Sequence, residues 1–372
     1  MQYFIIAGER SGDLHGANLY RHLKQMDPQA QARGIGGNFM EEAGVQLLKN
    51  YEDLALIGFW EILDKLGSIR KALKEVKASL IQSKPDVVIL IDYAGFNLRV
   101  ARFAKELGIK VFYYISPKIW AWNTGRAHKI KALVDRMFVI LPFEKEFYQQ
   151  FGYEVDYVGN PVLDAISEFQ PNPHFLKDNN LDERPIIAIL PGSRANEIES
   201  TLFRMLSILP AFPEHQFVVA GVNNFSSKYY DQFRRNGMVN IVYEQTYDLL
   251  RHAEMAIVTS GTATLETALL KVPQVVVYRV NFLSYFLGKL LIKVKFISLV
   301  NLIAAKKVVA ELIQGDFIPA NIRTELSKIQ LGEPGRVDIL KGYEEVGEKI
   351  GKPGASETAA RLMVGYLKET NL

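Results

Sequence analysis

Val87-Val88-Ile89-Leu90-Ile91-Asp92 is the stretch from which the fold of this 372-residue chain is read. Five consecutive apolar residues, four of them β-branched, suit a strand buried on both faces, the habit of parallel sheets covered by helices. Comparable runs recur outward from it. In the first half they are Tyr3–Ala7, Val111–Ile115, Met137–Leu141 and Val155–Val158, separated by helical segments that include Gly16–Lys24, Leu54–Leu80 and Arg99–Leu107. In the second half they are Ile186–Leu190, Phe217–Ala220, Ile241–Tyr243, Met255–Val258 and Val275–Val277. Short β-branched runs alternating with longer amphipathic ones predict βαβ units. Between the halves, Pro171, Pro173, Asn179, Asn180 and Pro185 break the rhythm. The expected organisation is therefore α/β, with a Rossmann-like domain over 1–168, a linker over 169–185 and a second Rossmann-like domain over 186–350. A last helix, Ser356 to Lys368 within 355–372, is expected to pack on the first domain or on a partner.

Composition narrows the class. With 48% hydrophobic and 23% charged residues the chain can bury sizeable cores. The absence of cysteine excludes a disulfide scaffold, thiolate metal sites and cysteine nucleophiles. A net charge of +3, from 44 Lys and Arg against 41 Asp and Glu, is too weak to imply nucleic acid. Met1 to Ala7 runs straight into a core strand, so no secretory signal is expected, and no apolar stretch reaches the roughly 20 residues that span a bilayer. The sequence reads as a soluble or peripheral protein. No Gly-x-Gly-x-x-Gly follows a strand, no Gly-Lys-Ser/Thr closes a phosphate loop, and there is no His-Glu-x-x-His. Dehydrogenase, P-loop and zinc-protease readings lose ground accordingly.

The first strand leads instead into Gly8-Glu9-Arg10-Ser11-Gly12-Asp13-Leu14-His15-Gly16. Its glycines let a turn approach a ligand before opening a helix, and Asp13 is either that helix's N-cap or a substrate contact. Asp92 ends its strand, where open α/β sheets line their ligand crevice; it is a general base whose pKa burial would raise, or the cap of the next helix. Ser116 precedes Pro117-Lys118-Ile119-Trp120-Ala121-Trp122, whose indoles offer an apolar platform or plain packing. In the second half, Leu190-Pro191-Gly192-Ser193-Arg194 brings backbone N–H groups and a guanidinium to a helix start, an arrangement suited to phosphate. Ser260-Gly261-Thr262 repeats that logic, and Glu266 stands one helical turn on, where a carboxylate can accept ribose hydroxyls. Thr267 to Ala310 holds no acidic residue while Lys289, Lys293 and Lys295 are interleaved with apolar side chains, as in a segment that meets anionic lipid. Phe59 and Trp60, ahead of Lys65 and Arg70, suggest a second apolar contact.

Taken in order, Gly8–Asp13, Ile91-Asp92, Ser116–Trp122, Leu141-Pro142-Phe143-Glu144, Val158-Gly159-Asn160-Pro161, Leu190–Arg194, Ser260–Glu266 and Ser298-Leu299-Val300-Asn301-Leu302 resemble the lipid A disaccharide synthase family over nearly the whole chain. The resemblance implies a GT-B fold, two Rossmann-like domains with a cleft between them, and an inverting glycosyl transfer without metal or cofactor. It implies UDP-2,3-diacylglucosamine as donor, 2,3-diacylglucosamine 1-phosphate as acceptor, and a Gram-negative cell in which the enzyme sits peripherally on the cytoplasmic face of the inner membrane. By position it makes Asp92 and Arg194 the essential residues. Ser193, Ser260, Gly261, Thr262, Glu266 and Asn301 fall on the UDP side, and Glu9, Ser11, Gly12, Asp13, Ser116 and Trp120 on the acceptor side. Lys118, Asn123 and Tyr93-Ala94-Gly95 depart from the family pattern. Monomer and homodimer both remain open. The rival readings are a UDP-N-acetylglucosamine 2-epimerase-like enzyme and a non-catalytic lipid- and nucleotide-binding protein.

Overall fold

The computed structural model describes residues 1–55, 62–223, 225–279 and 294–369, which form two compact units, 1–164 with 352–372 and 165–351. The first unit is a parallel sheet of β1 (Gln2–Ala7), β2 (Gln31–Gly36), β3 (Gln46–Asn50), β4 (Val87–Ile91), β5 (Lys110–Tyr114), β6 (Arg136–Val139) and β7 (Asp156–Tyr157). Its strand order is β3-β2-β1-β4-β5-β6-β7. The second has β8 (Ile186–Leu190), β9 (Gln216–Gly221), β10 (Val239–Tyr243), β11 (Ala253–Thr259), β12 (Gln274–Tyr278) and β13 (Ala310–Ile313), in the order β10-β9-β8-β11-β12-β13. Each sheet is Rossmann-like. In each the order reverses once, between β1 and β4 and between β8 and β11, and such switch points are where the strands' carboxyl ends open a ligand crevice.

The central strands form for the reason the sequence suggested: β4 and β8 are buried at every position, clamped between helical layers. Three strands were not expected, β2 and the edge strands β3 and β13. β2 mixes Gln31, Arg33 and two glycines with its apolar residues, β3 carries Gln46, Lys49 and Asn50, and β13 carries Glu311, so none shows the apolar run that marked the others. The first helix spans Arg10–Met26 rather than beginning at Gly16. Gly12 and Gly16 are therefore not turn residues but a closely packed helix face. A Cβ at Gly16 would lie 2.7 Å from the Met40 sulfur, and one at Gly12 3.3 Å from the Ala7 methyl. The helix expected over Leu54–Leu80 is found at Ile62–Ser83, after a single turn at Glu52–Ala55.

The stretch expected as a linker is folded: it contains the helix Phe175–Asp178, and Phe175 is fully buried with Ile186, Ala188, Leu249 and Leu250 in the second unit's core. The last helix, Ala355–Glu369, lies on Arg10–Met26 and completes the first unit. Its Ala359, Ala360, Met363, Val364 and Leu367 fill a core shared with Ile5, Ile89 and Phe112. The Asp164 carboxylate accepts hydrogen bonds from the amides of Gly354 (2.6 Å), Ala355 (3.1 Å) and Ser356 (3.2 Å), capping that helix.

Candidate active site

Parallel pairing of Ala7 with Ile91 brings the chain off β1 and β4 side by side at the first switch point, so Glu9 and Asp92 emerge together. Asp92 and Tyr93 both have φ of 44°, two successive left-handed residues whose strain costs about 1–2 kcal/mol each. Buried side chains hold them there. The Asn97 amide donates to the carbonyls of Ile91 (3.1 Å) and Asp92 (2.8 Å), and the Tyr113 hydroxyl donates to the Asp92 carbonyl. Burial pushes the Asp92 carboxyl from its ordinary 3.8 up to about 6; the negative charge of Glu9 and a hydrogen bond shared with it act in the same sense, against Lys118 and the Tyr93 amide. A half-buried carboxylate with that affinity suits a general base near neutral pH.

The other residues expected here are placed differently from one another. Ser11 is exposed and Gly12 buried. Asp13 is 1% exposed and caps not its own helix but Asn38–Glu42, accepting from the amides of Gly37 (2.7 Å), Phe39 (3.1 Å) and Met40 (3.1 Å). His15 is held neutral, its pKa lowered to about 4 by burial. Beyond β5, the buried Ser116 hydroxyl meets that of Tyr148 at 2.7 Å. Trp120 is buried against the edge of Phe143, and its indole N–H donates to Glu144 Oε1 (3.1 Å). Glu144 Oε2 accepts from the Leu141 amide (3.0 Å), and burial raises this carboxyl to about 7. Of the two indoles, it is Trp122 that presents its ring, 44% exposed with the Arg126 guanidinium 5.1 Å above it.

In the second unit, the loop after β8 turns at Gly192 (φ 101°), where a Cβ would lie 2.4 Å from Glu197 Oε2. The helix Ala195–Met205 starts there. Glu197 accepts from the Ser193 amide (3.3 Å) and pairs with Arg194 (3.2 Å), while the Arg194 side chain is 71% exposed. A carboxylate thus rests where an anion is favoured, at amides and a guanidinium beside a helix N-terminus. On the other side of the switch point, Ser260 donates to the Ile297 carbonyl (2.8 Å), and Gly261 and Thr262 open the helix Thr262–Leu269. Glu266 lies one turn along it; burial raises its pKa, and a hydrogen bond from Tyr247 opposes the rise.

Asn301 corrects an expectation. It is fully buried, and its amide donates to the Val309 carbonyl (3.0 Å) and Glu311 Oε1 (2.8 Å) while its oxygen accepts from the amides of Val308 (2.7 Å) and Val309 (2.9 Å). Two donors and two lone pairs are thereby used, so Asn301 staples the loop before β13 and has no group left for a ligand. Glu311 also accepts from the Ile297 amide and from both the amide and the hydroxyl of Ser298. Lys295 is exposed, beside Phe296. Phe59, Trp60, Lys289 and Lys293 lie outside the described residues. Sequence reasoning did not single out Asn97, Tyr113, Tyr247 or Glu311, and Glu144 entered only as part of a motif. Tyr113, Tyr247 and Glu311 meet partners ten or more residues away, and Asn97 meets main-chain carbonyls, so no side-chain spacing marks these roles; only Glu144, three residues after Leu141, stands at a local capping spacing.

The two sheets define the class. A structure of UDP-GlcNAc 2-epimerase from Neisseria meningitidis bound to UDP-GlcNAc superposes with a TM-score of 0.66 at 14% identity, covering 98% of this chain and 100% of that one. CalG4, the calicheamicin glycosyltransferase, gives 0.61 at 14%, covering 99% and 98%. The likeness is one of fold: this is a GT-B protein. The family model described as lipid-A-disaccharide synthetase matches residues 3–352. The lipid-A-disaccharide synthase of Syntrophus aciditrophicus is 42% identical over 99% of this chain and 98% of its own, and that of Geobacter sulfurreducens 38% over 98% and 96%. The chain belongs to the lipid-A-disaccharide synthase family and is a glycosyltransferase.

Proposed function

We propose that the chain transfers the 2,3-diacylglucosaminyl group of UDP-2,3-diacylglucosamine to the 6-hydroxyl of 2,3-diacylglucosamine 1-phosphate, giving the β-1,6-linked disaccharide 1-phosphate and UDP. The acceptor oxygen forms a bond to the anomeric carbon as the bond to the UDP β-phosphate breaks. The hydroxyl proton passes to Asp92, and the bonding electrons leave with UDP. Attack opposite to the leaving group inverts the anomeric centre. The observation that carries this reading is Asp92 itself, a carboxylate beside Glu9 at the first switch point, held at about 6 where it is ionised at neutral pH yet basic enough to take a proton.

On the donor side, Arg194 and the Ser193 amide neutralise the charge that grows on the β-phosphate, displacing Glu197 from them. Ser260, Gly261 and Thr262 receive the diphosphate at the helix start, and Glu266 accepts the ribose hydroxyls. Glu9 and Ser11 face the acceptor, whereas Gly12, Asp13, Ser116 and Trp120 support that half-site from within. The acyl chains of both substrates favour a bilayer by about 0.8 kcal/mol per buried CH₂, so the enzyme works at a membrane surface, the cytoplasmic face of the inner membrane. No helix among the described residues is long and apolar enough to cross one. Lys289, Lys293 and Lys295 with Phe59 and Trp60 make the reversible contact. The deciding assay supplies both lipid monosaccharides and measures lipid disaccharide and UDP. Equal amounts of the two products are expected, with no UDP released unless the acceptor is present. UDP release without acceptor, or interconversion of UDP-GlcNAc with its C2 epimer, would favour the epimerase-like reading instead.

A further inference from the structure

Glu266 is not held by its own helix. Its Oε1 accepts a 2.8 Å hydrogen bond from the hydroxyl of Tyr247, 19 residues earlier, and no other protein donor reaches the carboxylate among the described residues. Tyr247 stands in Thr246–His252, a helix of seven residues, too short to hold a direction unaided. The proline- and asparagine-rich segment before β8 supplies what is missing, through four contacts along that helix. Phe169 sets its ring edge-on against Tyr247 (5.3 Å, 85°), and the Asn172 amide donates to the buried Asp248 carboxylate (2.7 Å). Phe175 stacks on His252 (5.0 Å, 27°), and the Asn179 side chain donates to Gln245 Oε1 (2.9 Å). The residues that interrupt the strand-helix rhythm thus shape a brace.

We propose that Tyr247 is the positioning residue of the donor-ribose carboxylate, and that residues 169–179 are the mount that aims it. The inference rests on Glu266 being the ribose contact. A carboxylate on a flexible two-carbon stem can turn either oxygen outward or fold back; with Oε1 fixed by the tyrosine, Oε2 is presented in one direction to a 1,2-diol. The hydroxyl of Tyr247 touches neither the diol nor the reacting atoms. Its removal therefore leaves every ligand contact in place and loosens only the geometry of one.

The test is calorimetric titration of the full chain with UDP and with 2′-deoxy-UDP, for wild type, Tyr247→Phe, Phe169→Ala and Glu266→Ala, with thermal unfolding measured alongside. Wild type should prefer UDP, and Glu266→Ala should bring the two nucleotides close to equal affinity. Tyr247→Phe should weaken UDP about three- to tenfold, the range of one hydrogen bond, and weaken 2′-deoxy-UDP less, so that the preference narrows. Phe169→Ala should narrow it in the same direction by a smaller factor. A tyrosine that only stabilises the fold would lower the unfolding temperature and leave the ratio of affinities alone. If Glu266→Ala abolishes the preference while Tyr247→Phe keeps the wild-type ratio, the positioning role is overturned and the ribose contact stands. If Glu266→Ala keeps the preference, the ribose contact itself falls, and the role of Tyr247 with it.

Discussion

Replacing Asp92 by asparagine should cripple the enzyme and stabilise the protein at the same time. The carboxyl is pushed from 3.8 to about 6 in the folded chain, chiefly by burial and then by Glu9. Folding therefore favours the protonated form. The group carries no penalty below the unfolded value, acquires one as pH rises from about 4 through 6, and carries it in full above that. Each pKa unit corresponds to 1.36 kcal/mol, so the full penalty is about 3 kcal/mol. Asparagine removes the charge, keeps the shape, tolerates the left-handed backbone at φ 44° and can donate to Glu9. At pH 8 the variant should unfold later, with the first unit's transition raised by roughly 5–10 °C. At pH 4 the two proteins should unfold alike. At pH 8 turnover should fall by about 10²–10⁴, the usual cost of losing a general base, and the gap should narrow below pH 6 as the wild-type carboxyl is itself protonated. Unfolding curves at pH 4, 6 and 8 beside a lipid-disaccharide assay read both effects. An asparagine variant no more stable than wild type at pH 8, or a stability gain that does not change with pH, would refute the buried-base argument even if activity were lost.

Three other outcomes are expected. Arg194→Ala should lose on the order of ten- to a hundredfold in kcat/KM, with Arg194→Lys partly restoring it, and chelation with EDTA should leave the wild type unaffected; rescue of an EDTA-treated enzyme by a divalent cation would overturn the role given to Arg194. Glu144→Gln cannot accept from both the Trp120 indole and the Leu141 amide, so urea denaturation at pH 5, where burial keeps the folded carboxyl largely neutral, should show about 1–3 kcal/mol less stability and near-ultraviolet dichroism a loosened tryptophan; the deficit should shrink as pH rises through 7, because glutamine also removes a buried charge, and an unchanged spectrum counts against Glu144 holding Trp120. Lys289, Lys293 and Lys295 changed together to glutamine should reduce sedimentation with anionic vesicles and raise the apparent KM for the lipid substrates, and added salt should weaken the wild type in the same way. Unaltered vesicle binding would place the membrane contact elsewhere.

The parts of this fold that were legible in the sequence are those whose burial is two-sided. Val87–Ile91 and Ile186–Leu190 are apolar at every position because helices cover both faces, and no other element writes itself so plainly. Gln31–Gly36 was illegible for the opposite reason: it is held by backbone proximity, and Gly34 lies so close to β1 that a Cβ would fall 1.7 Å from the Ile5 carbonyl oxygen. Site residues divided in the same way. Asp92, Arg194 and Glu266 could be placed because strand ends and helix starts are visible in a sequence. Asn301 misled because an amide satisfied by the main chain of Val308 and Val309 and by the Glu311 carboxylate has the same letter as one that faces a ligand. Tyr247 stayed hidden because its partner lies 19 residues on and meets it only in the folded unit, and Asn97 because its partners are main-chain carbonyls, which no side-chain pattern marks.

The terminal helix that completes the first unit also sets a schedule. Ala359, Ala360, Met363, Val364 and Leu367 leave the ribosome only after the whole of residues 165–351, yet they fill a core whose other walls, Ile5, Ile89 and Phe112, were made at the start. At roughly 5–20 residues per second, the interval between the two parts of that unit lasts on the order of 10–40 s. Throughout it the helix Arg10–Met26 has an unfilled apolar face, and Asp164 lacks the three amides it will cap. The second unit, contiguous in the chain, can fold to completion first. Synthesis therefore presents the cell with a finished second unit tethered to an unfinished first one, and a ribosome stalled anywhere before the last helix leaves an apolar groove open to chaperones or to the same helix from another copy.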